Sequence, residues 1–281
     1  MLTGFEYRIL KWLRPCHRAE WDQSRFQGES KIRLLLGDDF LTRVRDKTVI
    51  DFGCGEGEEA VAIARHGARQ VVGLDIRPEL LTRARQRARE AGVARICHFA
   101  VETDQKADVI LSLDAFEHFA NPSDILRQMQ ARLNPGGEVA VSFGPTWYHP
   151  LGGHLFSVFP WAHLVFSEVA LIRWRSDFKS DGAGRFQEVA GGLNLMTIGR
   201  FVKLVQESPL EFAALETVPI RKLRRLHNRL TREFTTAVVR CRLTRRCTAP
   251  QAEMAPGFEL ALPAFSPEAA QYSSPVCRLS G

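Results

Sequence analysis

The order of residue types predicts an α/β fold, a doubly wound parallel sheet flanked by helices. Three observations carry that prediction. From Lys47 onward, short β-rich apolar runs alternate with stretches of helical periodicity. The first run ends in the glycine-rich turn Asp51-Phe52-Gly53-Cys54-Gly55-Glu56-Gly57, and the second ends on the carboxylate of Asp75. The expected strands fall at residues 48–52, 70–74, 96–100, 109–113 and 138–143. Helices are expected between them at 58–66, 78–91 and 123–133, the last stopped by Asn134-Pro135-Gly136-Gly137.

The rest of the chain is organised around this core of 47–144. Residues 1–46 read as a helical cap. An amphipathic start carries Leu2, Phe5, Ile9, Leu10, Trp12 and Leu13 interrupted by Glu6, Arg8 and Lys11, and a second helical stretch runs over 30–44. After Phe143 the alternation stops for about fifty residues, too long for an ordinary connection, so 145–195 is expected to be a functional insertion, a lid with a substrate role. A helix at 196–206 and a late strand at 234–241 place 196–247 back in the main fold. Residues 248–281, punctuated by Pro250, Pro256, Pro263, Pro267 and Pro275, are expected to be a disordered tail.

Composition excludes several classes. With 45% hydrophobic and 25% charged residues over 281 positions, the chain can bury a core and is not disordered throughout. Cys16, Cys54, Cys97, Cys241, Cys247 and Cys277 form no Cys-x-x-Cys pair, which argues against a disulfide framework or zinc site and for a reducing, cytoplasmic setting. Residues 146–167 lack Asp, Glu, Lys and Arg, and their length is about that of a bilayer span. Pro150, Gly152-Gly153 and Pro160 would break such a helix, and His149, His154 and His163 would be costly in hydrocarbon. No transmembrane span is expected; an interfacial or lid role is.

Net charge is +6, and the excess is concentrated. Arg221, Lys222, Arg224, Arg225, Arg229, Arg232, Arg240, Arg242, Arg245 and Arg246 face the single acid Glu233 between positions 221 and 246. This reads first as a solvated helix face and strand end, and it permits nucleic acid or an anionic lipid surface as partner.

Two cofactor classes use a glycine turn between a strand and a helix: dinucleotides and S-adenosylmethionine. In both, glycines let backbone approach the ligand where side chains would block it. Spacing separates them only in part. Glu58 stands where the frame begun at Gly53 wants a third glycine, yet Gly55-x-Gly57-x-x-Ala60 satisfies the degenerate dinucleotide pattern. Electrostatics separates them better. Glu56, Glu58 and Glu59 open the helix where a diphosphate needs positive potential, whereas a sulfonium and an amine tolerate acids, and Asp51 is placed to attract the amine. Asp75, 18 positions after Gly57, is expected to accept the ribose hydroxyls, with Ile76 beside it in the cofactor site.

The ordered set of Asp51 to Gly57, Asp75, the strand leading into Asp114-Ala115-Phe116-Glu117-His118, and Leu133-Asn134-Pro135-Gly136-Gly137 resembles the successive motifs of class I S-adenosylmethionine-dependent methyltransferases, and the insertion and C-terminal helix resemble an uncharacterised bacterial group of them. The resemblance implies a Rossmann-like, seven-stranded sheet whose last strand is antiparallel, a place that 234–241 suits. It also implies an adenine-binding loop after the third strand, here with Glu102 and Asp104 as alternative acids. Asp114 joins the cofactor-binding set.

Methyl transfer is an in-line displacement in which orientation and desolvation do much of the work, so a general base is optional. His118, His149 and His154 are the catalytic candidates. Trp147, Tyr148, His149 and His154 are expected to face substrate, while Phe156, Phe159, Trp161 and Phe166 pack. Asp114, Glu117 and His118 also resemble a divalent-ion set found in some relatives, although no metal is expected. The expected acceptor is a small or lipid-like molecule. Alternatives are RNA contacted by 221–246, a noncatalytic module contacting protein or a membrane surface, and an NAD-dependent activity.

Overall fold

The protein is described here by a computed structural model covering residues 2–13, 29–179, 181–189 and 192–246. The expected tail at 248–281 lies outside the described residues. In chain order, the elements are α1 (Leu2–Leu13), α2 (Glu29–Leu36), α3 (Phe40–Arg43), β1 (Thr48–Phe52), α4 (Glu58–Arg65), β2 (Gln70–Leu74), α5 (Pro78–Glu90), β3 (Cys97–Ala100) and β4 (Ala107–Leu113). They continue with α6 (Pro122–Arg132), β5 (Leu133–Phe143), α7 (Ala162–Val165), α8 (Glu168–Ser176), α9 (Ile198–Gln206), β6 (Leu210–Pro219), α10 (Arg232–Thr235) and β7 (Thr236–Arg245).

The seven strands form one sheet in the order β3-β2-β1-β4-β5-β7-β6. β1 to β5 run parallel, and β7 inserts antiparallel between β5 and β6. This is the Rossmann-like arrangement with an antiparallel last strand. β6 is a strand that the sequence reading did not single out. At the sheet edge it is largely half-buried and mixes Glu211 and Glu216 among apolar residues, so it has neither the clean alternation nor the apolar run that marks a strand. Leu133 pairs with Ala107, and the ladder resumes at Glu138 opposite Val109, so Asn134 to Gly137 form an irregularity within β5 rather than a free loop.

Alternate side chains of each central strand enter opposite cores, as the two-residue strand period requires. Val49, Val71, Leu111 and Ala140 join Ile32, Phe40, Ile63 and Leu81 from α2 to α5 on one face. Ile50, Val72, Ile110, Val139 and Phe143 join Leu126, Met129, Phe201 and Val205 from α6 and α9 on the other. β1 is buried along its whole length because both faces are covered.

A third cluster stands apart from the sheet. Leu10 of α1 packs with Phe156, Ala162, Leu171, Trp174 and Phe186 of the segment between β5 and α9. α1 therefore rests on the insertion while α2 and α3 rest on the sheet. Among the described residues, no helix is long and apolar enough to cross a membrane.

Candidate active site

The carboxyl ends of β1, β2 and β4 meet at one edge of the sheet, where the glycine turn reverses into α4. Gly53, Gly55 and Gly57 all have positive φ, a region that glycine enters without strain. Two of them also have no room for a side chain. A Cβ on Gly53 would lie 2.6 Å from that of Ala115, and one on Gly57 would lie 2.8 Å from the Phe99 ring and 2.9 Å from Ala84 Cβ. Gly55 faces open space, with nothing within 4 Å of an added Cβ, and its N–H donates to Asp75 Oδ2 at 3.1 Å. Gly55 is the member of the turn that presents bare backbone to a ligand. Cys54 is buried beneath it, with burial raising its thiol pKa.

Asp51, on β1, is 2% exposed, and its Oδ2 has no hydrogen-bond partner. Burial, reinforced by Glu59, raises its pKa well above the ordinary value, with Lys31 pulling the other way. A cationic amine arriving beside Oδ2 would favour the ionised form. Asp114, at the end of β4, lies 3.0 Å from Lys31 Nζ, and Glu59 lies 3.5 Å from the same nitrogen. Lys31 comes from α2. One lysine thus stands among three carboxyls at the end of the turn, a composition suited to a zwitterionic amino-acid group. The sequence reading missed Lys31 because it precedes the sheet and only tertiary packing brings it to Asp114.

The acidic start of α4 divides in two. Glu56 and Glu58 turn away to Arg83 and Arg87 of α5, at 2.7 Å each, while Glu59 is held by Lys31 beside Asp51. Glu59 and Asp114 are therefore the acids that remain beside the turn to disfavour a diphosphate.

Asp75 has its acceptor positions filled. The Arg77 N–H and Nε donate to Oδ1 at 2.9 Å, Arg77 Nη2 donates to Oδ2 at 3.0 Å, and the Gly55 N–H completes the set. Burial opposes ionisation here, but these hydrogen bonds and the guanidinium charge outweigh it and hold the pKa below the ordinary value. A carboxylate offers about four acceptor sites, so ribose hydroxyls can bond to Asp75 once the guanidinium swings toward solvent, where its side chain is already half exposed. Ile76 projects outward at 83% exposure, open to one face of a flat ring. Glu102 and Asp104 sit exposed on the loop after β3. The orphaned Asp51 oxygen, the bare Gly55 backbone, exposed Ile76 and the Asp75 carboxylate fit S-adenosylmethionine.

Beyond β4 a 3-10 turn carries Phe116, Glu117 and His118. Glu117 is 3% exposed. Its Oε1 accepts from the Gly144 N–H at 3.3 Å, and its Oε2 is buried without a partner. Burial lifts its pKa to about 7, with His118 opposing and Asp114 adding to the shift. His118 Nδ1 lies 2.6 Å from the Gly192 carbonyl oxygen, and its ring meets that of His154 edge-on at 5.3 Å.

The insertion is tied down over this turn by Asn194. Its side-chain amide donates to the carbonyls of Phe116 and Phe119 at 2.8 and 3.0 Å, and its N–H donates to the Glu117 carbonyl at 3.0 Å. Asn194 follows Gly192 and Leu193 in a glycine-bearing stretch between α8 and α9.

The structure brings the four histidines into one electrostatic neighbourhood and gives them different situations. Burial, then the nearness of the other three imidazoles, lowers His154 to about 3. His149 is lowered to about 4 by burial and by His163, and its Nδ1 accepts from the Leu151 N–H at 2.9 Å. His149 is thus a neutral ring with Nε2 as the protonated nitrogen. His163 stands 2.7 Å from the Trp147 carbonyl oxygen.

The candidate substrate aromatics separate. Trp147, half-buried, packs on His163 and Phe186 against the third core cluster, whereas Tyr148 lies on the surface with its ring 5.2 Å from that of Phe234. Asp114, Glu117 and His118 do not converge as metal ligands, because they turn to Lys31, Gly144 and Gly192. Among the described residues, no group of three or more His, Cys, Asp or Glu side chains is placed to hold a metal ion.

Comparison with known proteins agrees with this geometry. Residues 44–145 match a family described as a methyltransferase domain. The ubiquinone biosynthesis O-methyltransferase of Serratia proteamaculans is 36% identical over 132 residues, covering 43% of this chain and 54% of that protein. The ribosomal protein L11 methyltransferase of Aliivibrio salmonicida is 36% identical over 97 residues, covering 34% of this chain and 33% of that protein. The chain thus spans about half the length of the first relative and a third of the second. A solved structure assigned as a sarcosine dimethylglycine methyltransferase from Galdieria sulphuraria superposes with a TM-score of 0.50 at 16% identity, covering 76% of this chain and 84% of that one, a likeness of fold.

Proposed function

We propose that this protein, whose residues 44–145 match a methyltransferase domain, is a class I S-adenosylmethionine-dependent methyltransferase that methylates a small or lipid-like acceptor held between the cofactor edge of the sheet and the 145–195 insertion. The observation that carries the acceptor class is the insertion itself, an aromatic and apolar unit with its own core, fastened by Asn194 and Gly192 directly over Glu117 and His118. An apolar, aromatic unit with a few polar groups beside it suits an organic acceptor better than an extended polymer.

When bound, the cofactor supplies a methyl group made electrophilic by its sulfonium. Asp51 and Asp114 would hold the amine end, Lys31 the carboxylate end, Gly55 the backbone approach and Asp75 the ribose hydroxyls. Glu117 is the group best matched to removing an acceptor proton: its pKa of about 7 lets it be half ionised at neutral pH, and Oε2 is unpartnered. His118 lies next to it, and His154, kept neutral by burial, lines the acceptor side. An acceptor seated against the insertion would displace water from this edge, which would strengthen the polar contacts within it.

Incubation of the protein with methyl-labelled S-adenosylmethionine and fractionated cell extract tests the proposal. Label in a low-mass or solvent-extractable product, resistant to nuclease and protease, is expected. Label lost to nuclease would make the acceptor RNA, and label lost to protease would make it a protein.

A further inference from the structure

The connection between β6 and β7 emerges at the active-site edge of the sheet. Pro219 pairs with Thr236, and Phe143 pairs with Val239 next to it. Its residues are held by hydrogen bonds. His227 bridges Thr217 Oγ1 at 3.1 Å and Thr235 Oγ1 at 2.8 Å, and Asn228 Oδ1 accepts from the N–H groups of Leu230 and Thr231 at 2.9 and 3.2 Å. This scaffold projects Leu226 and Leu230 into water, 59% and 92% exposed. Around them Arg221, Lys222, Arg224, Arg225 and Arg229 are exposed, and none forms an ion pair among the described residues. The acid of this stretch, Glu233, is engaged elsewhere, accepting from the N–H groups of Ile198 and Gly199 at 3.0 and 2.8 Å. Phe234 connects the connection to the insertion through Tyr148.

The geometry points to residues 221–234 as a docking surface for an anionic lipid bilayer, which would seat the mouth of the active site on the membrane. Exposed leucines held out among unpaired cations match the chemistry of a bilayer interface, where apolar tips enter the acyl boundary and cations meet anionic headgroups. RNA satisfies only half of this arrangement. It would neutralise the arginines but leave both leucines wet.

Docking can be read without cofactor or acceptor, so it stands or fails separately from the acceptor proposal. The test is co-sedimentation of the full chain with phosphatidylcholine vesicles, with and without phosphatidylglycerol. Binding should require phosphatidylglycerol and weaken with salt. Arg224→Gln with Arg225→Gln should weaken it tenfold or more, given about fivefold per cation. Leu230→Asp should weaken it at least tenfold. Calorimetric binding of S-adenosylmethionine should be unchanged in both variants, which confirms that they fold. Failure to bind anionic vesicles would overturn the proposal, as would vesicle binding indifferent to Leu230→Asp. Tight RNA binding that ignores Leu230 would assign the surface to nucleic acid instead, and a dimer dissolved by Leu230→Asp would assign it to a second copy of the chain.

Discussion

Between Thr48 and Asp75 the chain is held by backbone. Three positive-φ glycines, two of them without room for a methyl, and a carboxylate with every acceptor filled fix the backbone of the cofactor edge. Between Gly144 and Thr197 the chain is held by side chains instead. An aromatic cluster, a few histidine contacts and Asn194 carry a segment in which α8 and the four-residue α7 are the α-helices among the described residues. The first region is constrained by what cannot be substituted, and the second by what happens to pack. A cofactor common to many enzymes can be met by the first kind of site; an acceptor particular to one enzyme needs the second.

The comparison breaks first at Glu117, where the two regions meet. Glu117→Gln keeps an acceptor for the Gly144 N–H but removes the titration. It should lower kcat by about a hundredfold or more and abolish a rise in kcat/KM as pH increases through 7. A variant with unchanged kcat and pH profile would remove Glu117 from the chemistry.

Within the cofactor region, Gly57→Ala and Gly55→Ala should part company. Gly57→Ala drives a methyl into Phe99 and Ala84 and should cost about 2 to 4 kcal/mol in urea unfolding. Gly55→Ala meets open space and should cost only about 1 to 2 kcal/mol through its backbone conformation, its larger effect falling on cofactor affinity. Equal losses of stability would contradict the close-packing account.

Within the insertion, the test is pH. The folded pKa of His149 is depressed to about 4. The unfolded chain therefore binds the extra proton between its ordinary value and 4, and stability present above about pH 6.5 is lost as pH falls. His149→Asn retains an acceptor for the Leu151 N–H and should reduce the loss between pH 7 and pH 5 by about 2 kcal/mol. Parallel pH profiles for the two proteins would show that the ring is not held neutral.

Sequence made the first region legible and the second only locatable. β1 and β2 were readable to the residue because both faces of the sheet are covered and the strands are bounded by turn residues. Asp51, the glycines and Asp75 were readable because their roles follow from positions at strand ends. β6 escaped because a largely half-buried edge strand with Glu211 and Glu216 among its apolar residues carries no clean period. Lys31, Glu59 and Asn194 acquire their roles from contacts across the fold. Arg77 was visible two positions after Asp75, but its closure onto that carboxylate is a matter of rotamer. Fifty residues without alternation marked the insertion as special, yet nothing in their order separates packed Trp147 from exposed Tyr148.

The cradle itself is tested most directly by calorimetric titration of S-adenosylmethionine into the wild-type protein, Asp75→Ala and Arg77→Gln. Binding by the wild type should weaken by about 1.5 to 3 kcal/mol in Asp75→Ala. It should hold or tighten by up to about 1 kcal/mol in Arg77→Gln, where the acceptors of Asp75 no longer have to be cleared. A folded wild-type protein that binds no S-adenosylmethionine, or an Asp75→Ala variant of unchanged affinity, would contradict the account.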